Sequence, residues 1–236
     1  MVGAWVPSLG VTGDTLHDVS GFGNDGALVN DPQWVIGDQG HALELDGVDQ
    51  SVAIDGINAS SNTWTCIVFA DNTAVEGSSY RGLIGDSTDL NNGSMSIRNS
   101  NARQYLHSDA GTAYYQTWPA VADVLGYHMW TWQRLSDANA VFGKDLTFAQ
   151  KTITGATFDW STIDRLGSTG ASEWQGSITA IYFYNRALTP NEIQQLYLDP
   201  LAPFRLRDRV FSYSTAEAVT ESHWGLIFRS SIFGRM

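Results

Sequence analysis

Ala42-Leu43-Glu44-Leu45-Asp46-Gly47-Val48-Asp49-Gln50-Ser51-Val52-Ala53-Ile54 is the stretch on which the fold turns. Short alternating runs, Ala42 to Leu45 and Ser51 to Ile54, flank an Asp-Gly pair. That is the signature of two antiparallel strands joined by a turn in which a residue needs positive φ. The same pattern repeats outward: Thr63 to Phe69, Ser94 to Arg98, Tyr127 to Arg134, Ala138 to Lys144 and Ser177 to Tyr184 each alternate between Gly, Asn, Asp and Ser boundaries. In the last run Ile178, Ala180, Tyr182 and Tyr184 are expected on one face and Thr179, Ile181 and Phe183 on the other, so both faces need cover. Many short strands with glycine and asparagine turns imply an all-β antiparallel jelly-roll sandwich rather than βαβ units.

One helix is signalled. Thr189-Pro190-Asn191-Glu192 is a capping box with proline at the first helical position, Ile193, Leu196 and Tyr197 share a face, and Asp199-Pro200 ends it. The expected domain therefore covers 1–199. An extended tail, 200–236, follows, either as a docking segment or as an extra strand.

The chain has 236 residues, 43% hydrophobic and 16% charged, with a formal net charge of −12. That composition excludes disorder and coiled coil, and no apolar run approaches the roughly 20 residues of a membrane helix. Residues 1–199 hold 22 of the 25 acids, whereas the tail holds five arginines and three acids. An acidic body argues against nucleic acid as a partner, since neutralising phosphate needs clustered Lys and Arg. A single cysteine, Cys66, excludes an intrachain disulfide. The first residues lack the charged and apolar regions of a secretory signal, and with Met1 as the natural start the protein is expected to be made in a cytoplasm.

Three blocks together resemble the laminin G-like, concanavalin A-like superfamily: Leu16-His17-Asp18-Val19-Ser20-Gly21-Phe22-Gly23-Asn24-Asp25-Gly26, the Gly40 to Val52 hairpin, and Trp174-Gln175-Gly176-Ser177-Ile178 through Thr189 and Glu192-Ile193. The resemblance spans residues 4–199 and implies the jelly-roll fold. It also implies calcium as a cofactor to be weighed, with Asp18, Asn24 and Asp25 as ligands near one rim, although Thr179-Ala180 stand where relatives often carry acids. Calcium takes six to eight oxygens. A purely turn-forming role for the three is the alternative.

Glu44, Asp46 and Asp49 resemble the carboxylate strand of glucanases with this fold, but the segment aligns with a non-catalytic hairpin, and no nucleophile elbow, Walker A, Rossmann or HExxH motif occurs. The protein is expected not to be an enzyme. For sugar contact, which uses aromatic faces beside hydrogen-bonding groups, the richest cluster is Tyr105, His107, Tyr114, Tyr115, Gln116 and Trp118, with Tyr105, Tyr114, Tyr115 and Trp118 as the binding residues. Arg205, Arg207, Arg209, Trp224, Phe228 and Phe233 are the assembly residues of the tail.

Two functions follow. The first is a virion structural protein, a bacteriophage capsid decoration or fibre component whose partners are capsid or other virion proteins, self-association included. It would be exposed on the virion surface after synthesis in the host cytoplasm, with its lectin-like jelly roll adhering to glycans. The second is a carbohydrate-binding module of a secreted or bacterial cell-surface protein. Neither involves nucleic acid or membrane insertion.

Overall fold

Alternating sequences become strands because period-two side chains can send one face to a core and the other to solvent. In the computed structural model they form β1 (Gly3–Trp5), β2 (Thr15–Leu16), β3 (Gly26–Val29), β4 (Gln33–Gly37), β5 (Gly40–Asp46), β6 (Ser51–Ala53), β7 (Trp64–Asn72) and β8 (Tyr80–Gly85). They continue with β9 (Met95–Arg98), β10 (Arg103–His107), β11 (Ala113–Thr117), β12 (Gly126–Ser136), β13 (Asn139–Lys144), β14 (Thr147–Thr152), β15 (Arg165–Leu166) and β16 (Gln175–Tyr184), before helix α1 (Pro190–Leu198). The structure describes residues 1–37, 39–57, 62–74, 80–88, 93–109, 111–170 and 172–205. The chain divides into two units, Met1–Pro203 and Phe204–Met236. Of the expected tail residues Arg205 is described and exposed, while Arg207, Arg209, Trp224, Phe228 and Phe233 lie outside the described residues.

The first unit is a two-sheet antiparallel sandwich, as the jelly-roll reading expects. Sheet A runs β14-β13-β12-β7-β16-β5-β4, with β1 also pairing with β16, and sheet B runs β11-β10-β9-β8-β15-β6-β3-β2. The Asp46-Gly47 turn departs from expectation. β5 pairs with β4 and β16 in sheet A, whereas β6 pairs with β3 and β15 in sheet B, so the turn carries the chain between sheets instead of closing a hairpin. Its chemistry is as read: Gly47 has φ of 77°, and the Asp46 carboxylate accepts from the Val48 N–H at 2.8 Å. The pairing was misread because a turn signal fixes a change of direction, not which neighbour each strand finds.

Between the sheets lie Leu43 and Leu45 from β5, Cys66, Val68 and Ala70 from β7, Met95 and Ile97 from β9, Leu106 from β10, and Trp130 and Trp132 from β12. Trp5, Trp64, Trp130, Trp132, Trp160 and Trp174 are all fully buried. Trp64 and Trp160 meet edge-to-face with centroids 4.6 Å apart, and Trp160 meets Phe183 at 4.9 Å, within the range where aromatic geometry adds to burial. Cys66 is completely buried, and burial pushes its thiol far above its ordinary value.

β16 shows how both faces of a central strand are used. A bulge falls between Ile178 and Ala180, so Ile178 joins Ile181 and Phe183 in the core rather than sharing a face with Ala180, Tyr182 and Tyr184. The extra residue, Thr179, bonds the Tyr127 hydroxyl at 2.9 Å. The outer face is pinned to the α1 region from both ends: the Tyr182 hydroxyl donates to the Pro200 carbonyl at 2.6 Å, and the Thr65 hydroxyl donates to the Arg186 carbonyl while accepting from the Leu188 N–H. The capping box forms as read, and Ile193 and Leu196 are buried, each contributing about 2 kcal/mol. Tyr197, expected beside them, is 40% exposed.

Gly176 opens β16 at φ 130°, and a Cβ there would run into the Asp71 carbonyl. Gly176→Ala should therefore lower unfolding free energy by at least about 3 kcal/mol in chemical denaturation, and an unchanged midpoint would contradict the register given for β16 and β7.

Candidate functional site

In β8–β11 the alternation sorts residues onto two faces. Ile97, Gln104, Leu106 and Met95 turn inward, whereas Tyr80, Arg98, Ser96, Arg103, Tyr105, His107 and Tyr115 fall on the outer face of sheet B. Register sets them side by side: Tyr105 is opposite Tyr115 and Ser96, and Arg98 is opposite both Arg103 and Tyr80. The β9–β10 connection, Asn99 to Ala102, holds this pairing because Ala102 adopts a left-handed conformation (φ 48°) and its N–H returns to the Asn99 carbonyl. Asn99 is in turn fixed by the Asn72 side-chain amide at 2.9 Å.

The result is an aromatic floor with a cationic rim. Tyr105 and His107 are buried, with ring centroids 5.7 Å apart, and Tyr80 meets Tyr105 edge-to-face at 4.9 Å. The Ser94 hydroxyl is 2.9 Å from His107 Nδ1. Arg103 lies over the Tyr115 ring with Cζ 4.1 Å from the centroid, and its Nη1 donates to the Tyr105 hydroxyl at 3.3 Å. Arg98 sits 5.2 Å from the Tyr80 centroid. Burial pushes the Tyr105 phenol up, but hydrogen bonding with Arg103, Asn101 and Arg98 outweighs it, leaving Tyr105 below the usual phenol value. Tyr80 goes the other way, raised by burial and by Tyr105. Tyr115 is 40% exposed, so its ring remains open to a planar apolar partner such as a sugar face.

The four expected sugar-binding residues therefore separate. Tyr105 and Tyr115 share the outer face, but Tyr105, 3% exposed, is floor rather than platform. Tyr114 points the other way and packs on the core, and Trp118, 5% exposed, belongs to the core itself. Adjacent residues on a strand point to opposite faces, so a cluster in sequence is not a cluster in space. Tyr80, Arg98 and Arg103 were passed over, although Arg103, Tyr105 and His107 alternate visibly.

Asp18, Asn24 and Asp25 form a hydrogen-bonded knot. Asp18 Oδ1 accepts from the Ala4 and Ser20 N–H groups at 2.8 and 2.9 Å, and Oδ2 accepts from the Ser20 hydroxyl, the Asn24 N–H and the Asn24 side-chain amide at 2.8 to 3.0 Å. Asn24 gives its carbonyl to the Trp5 indole N–H at 2.8 Å. Asp25 accepts from the Asp18 N–H and pairs with His17 at 3.1 Å, and these two contacts hold its carboxyl below the usual range. Five donors converge on Asp18, the surrounding of a buried anion that braces a turn. Among the described residues no group of three or more His, Cys, Asp or Glu is placed to hold a metal ion.

Two further clefts are polar. One of about 240 Å³ is lined by Gln33, Glu44, Asp46, Gln50 and Gln175, where Glu44 faces Gln33 and Ser177 across the sheet and Asp46 faces Gln175. No second carboxylate stands directly across from either. Another, of about 410 Å³, is lined by Asp109, Arg134, Asp137 and Phe158, and its guanidinium is already bonded to Asp137 at 3.0 Å and to the Ala156 carbonyl.

No sequence-family profile and no curated protein sequence matches the chain. Solved structures share its fold. Domain 4 of AbnA, an extracellular arabinanase from Geobacillus stearothermophilus solved with arabinotriose, aligns over 83% of this chain and 97% of that one, with TM-score 0.65 and 14% identity. A botulinum neurotoxin type C structure, reported with cell entry dependent on two ganglioside molecules, aligns over 84% of this chain and 50% of that one, with TM-score 0.63 and 13% identity. Trypanosoma rangeli sialidase with the inhibitor DANA aligns over 83% and 32%, with TM-score 0.60 and 18% identity. All are alike at the level of the β-sandwich, and this chain spans half or less of the toxin and sialidase chains.

The knot around Asp18 is checked by Asp18→Asn, which turns an amide N–H₂ towards donors that need an acceptor. The expected cost is about 3 kcal/mol, or a fall in melting temperature of roughly 6–12 °C, and it should be the same with calcium or with chelator.

Proposed function

We propose that the protein is a non-enzymatic glycan-binding β-sandwich that recognises sugar on the outer face of sheet B. The observation that supports this most is Tyr115, a 40% exposed ring with the Arg103 guanidinium over it, beside the buried Tyr105 and His107. A fixed aromatic face beside N–H and O–H donors is what a pyranose or furanose ring needs. Its C–H groups pack on the ring and its hydroxyls meet the donors. That structural neighbours include an arabinotriose-bound domain and a ganglioside-dependent toxin is in keeping with such a role. Binding is proposed to need no calcium, since the carboxylate best placed by sequence is saturated by donors.

We further propose that the setting is a bacteriophage particle, the domain serving as a surface decoration or fibre component that contacts host glycan. The acidic body and the arginine-bearing tail are the support for it. A carbohydrate-binding module on a secreted or cell-surface protein is the alternative setting for the same face.

Tyr115→Ala should weaken binding to a glycan array at least tenfold while leaving the melting temperature within about 2 °C, and chelator should change neither. Unaltered binding in the variant would move the site elsewhere on the sandwich. For the setting, density-gradient fractionation of the native source should place the protein with large particles, and recovery only as a free monomer would favour the secreted module.

A further inference from the structure

The polar cleft of about 410 Å³ is assembled from parts far apart in the chain. Asn62 precedes β7, Asp137 lies in the β12–β13 turn, Asp109 follows β10, and Thr157 and Phe158 follow β14. Trp64 and Arg134 are partners in the antiparallel β7–β12 ladder, so Asn62 and Asp137 emerge at the same end of the sandwich. The loops there are tied to one another. The Asp109 N–H donates to the Thr157 carbonyl at 3.0 Å, and the Asp159 N–H returns to Asp109 Oδ1 at 2.9 Å. The Ile153 N–H donates to the Ala138 carbonyl at 2.9 Å, which joins the stretch after β14 to the β12–β13 turn.

Arg134 is the brace of the cleft. It is only 6% exposed. Its Nη2 donates to Asp137 Oδ1 at 3.0 Å and to the Ala156 carbonyl at 2.9 Å, its Nε donates to the Ser136 carbonyl at 3.3 Å, and its Cζ lies 5.3 Å from the Phe158 centroid. Phe158 is itself stacked on Trp160, with ring planes 7° apart. The Asp137 side chain is 75% exposed, and an ion pair to so exposed a carboxylate adds little stability. What the contact does is fix where that carboxylate stands. Walls locked by buried neighbours before a ligand arrives lower the ordering cost of binding.

The polar groups of the walls decide the chemistry of the ligand. The Arg134 guanidinium is already turned to protein acceptors, whereas Asp109 makes no ion pair among the described residues and has one oxygen without a hydrogen-bond partner there. One guanidinium against two carboxylates leaves the cleft net negative. Carboxylates only accept, so the ligand has to bring donors, and it has to lack acid groups, which Asp109 and Asp137 would repel. Neighbouring hydroxyls of a sugar answer both demands, since each donates a charge-assisted bond to a carboxylate oxygen. The volume lies within the roughly 300–1,000 Å³ of small-molecule sites. We infer that this end cleft is a second sugar site, taking an uncharged sugar unit through hydroxyls donated to Asp109 and Asp137, with Thr157 and Phe158 beside it. It goes beyond the proposed role of the Tyr115 face and does not depend on it.

The test is an amide NMR titration of the labelled full chain with arabinotriose, lactose and cellobiose as neutral probes and a digalacturonate as the acidic one. At least one neutral probe should shift the Asp109, Thr157 and Phe158 amides saturably. The double variant Asp109→Asn/Asp137→Asn keeps an oxygen at each position for the Asp159 N–H and for Arg134. It should bind that probe at least about tenfold more weakly, with a melting temperature within about 2 °C of the wild type. Asp137→Asn alone, at a mostly exposed position, should weaken binding at least about threefold and serves where the double variant melts early. Tyr115→Ala should leave the cleft shifts unchanged, so the two sites fail separately. Shifts confined to Tyr115 and its neighbours would overturn the end cleft and leave the sheet B reading standing, whereas shifts confined to the cleft would support it and overturn that reading. No saturable shift at the cleft amides with any neutral probe, undiminished binding in the Asn variants, or digalacturonate bound as tightly as the neutral sugars would each overturn the inference.

Discussion

Keeping both faces of β16 away from water is the constraint from which the rest of the sandwich follows. The strand lies inside sheet A, paired with β5, β7 and β1, and both of its faces are apolar. One face meets the tryptophan-rich core. The other has to be closed by something outside the sheet, and the chain does this at once with a nine-residue helix tied down before and after itself by Thr65 and Tyr182. The bulge at Thr179 lets one strand serve both needs by switching the face that Ile178 presents. The α1 region is pinned over sheet A, while the exposed Tyr115 ring beside Arg103 lies on the outer face of sheet B.

The acidic character of the chain also has an internal explanation. Asp18, Asp25, Asp46, Asp86, Asp109, Asp145, Asp159 and Asp164 each accept a backbone N–H, most of them from a loop. A sandwich of many short strands has many turns, and every turn leaves N–H groups that the ladder cannot satisfy. Aspartate is the shortest anionic acceptor for them. Part of the formal charge is thus the consequence of topology.

Strands β5, β6, β7, β9, β12, β13 and β16, helix α1 and its capping box were legible because each depends on local pattern: alternation for the strands, and a Thr-Pro-Asn-Glu run for α1. What was not legible depended on partners distant in sequence. Asp46-Gly47 specified a turn with positive φ, yet whether β5 and β6 pair is decided by β16 and β15, more than a hundred residues on. The bulge at Thr179 similarly moved Ile178 to the face opposite the one simple alternation gives it. On the outer face of sheet B, Tyr115 was found from composition, but Trp118 and Tyr114 were grouped with it by proximity alone, and Arg98, Arg103 and Tyr80 came into view only through strand register. The Asp18 block was recognised as a turn; its saturation by five donors needed the Ala4 and Asn24 backbones to be in place.

Cys66 sits at the centre of β7, sealed between the sheets, with burial holding its sulfur in the unreactive protonated form. Thiolate is the species that reacts with disulfides and alkylating agents, so this thiol is chemically silent as long as the two sheets stay together. The chain thereby carries its own gauge of separation. The rate at which a small thiol reagent is consumed reports how often the sheets part deeply enough to wet β7, independently of motions in the loops around the rim.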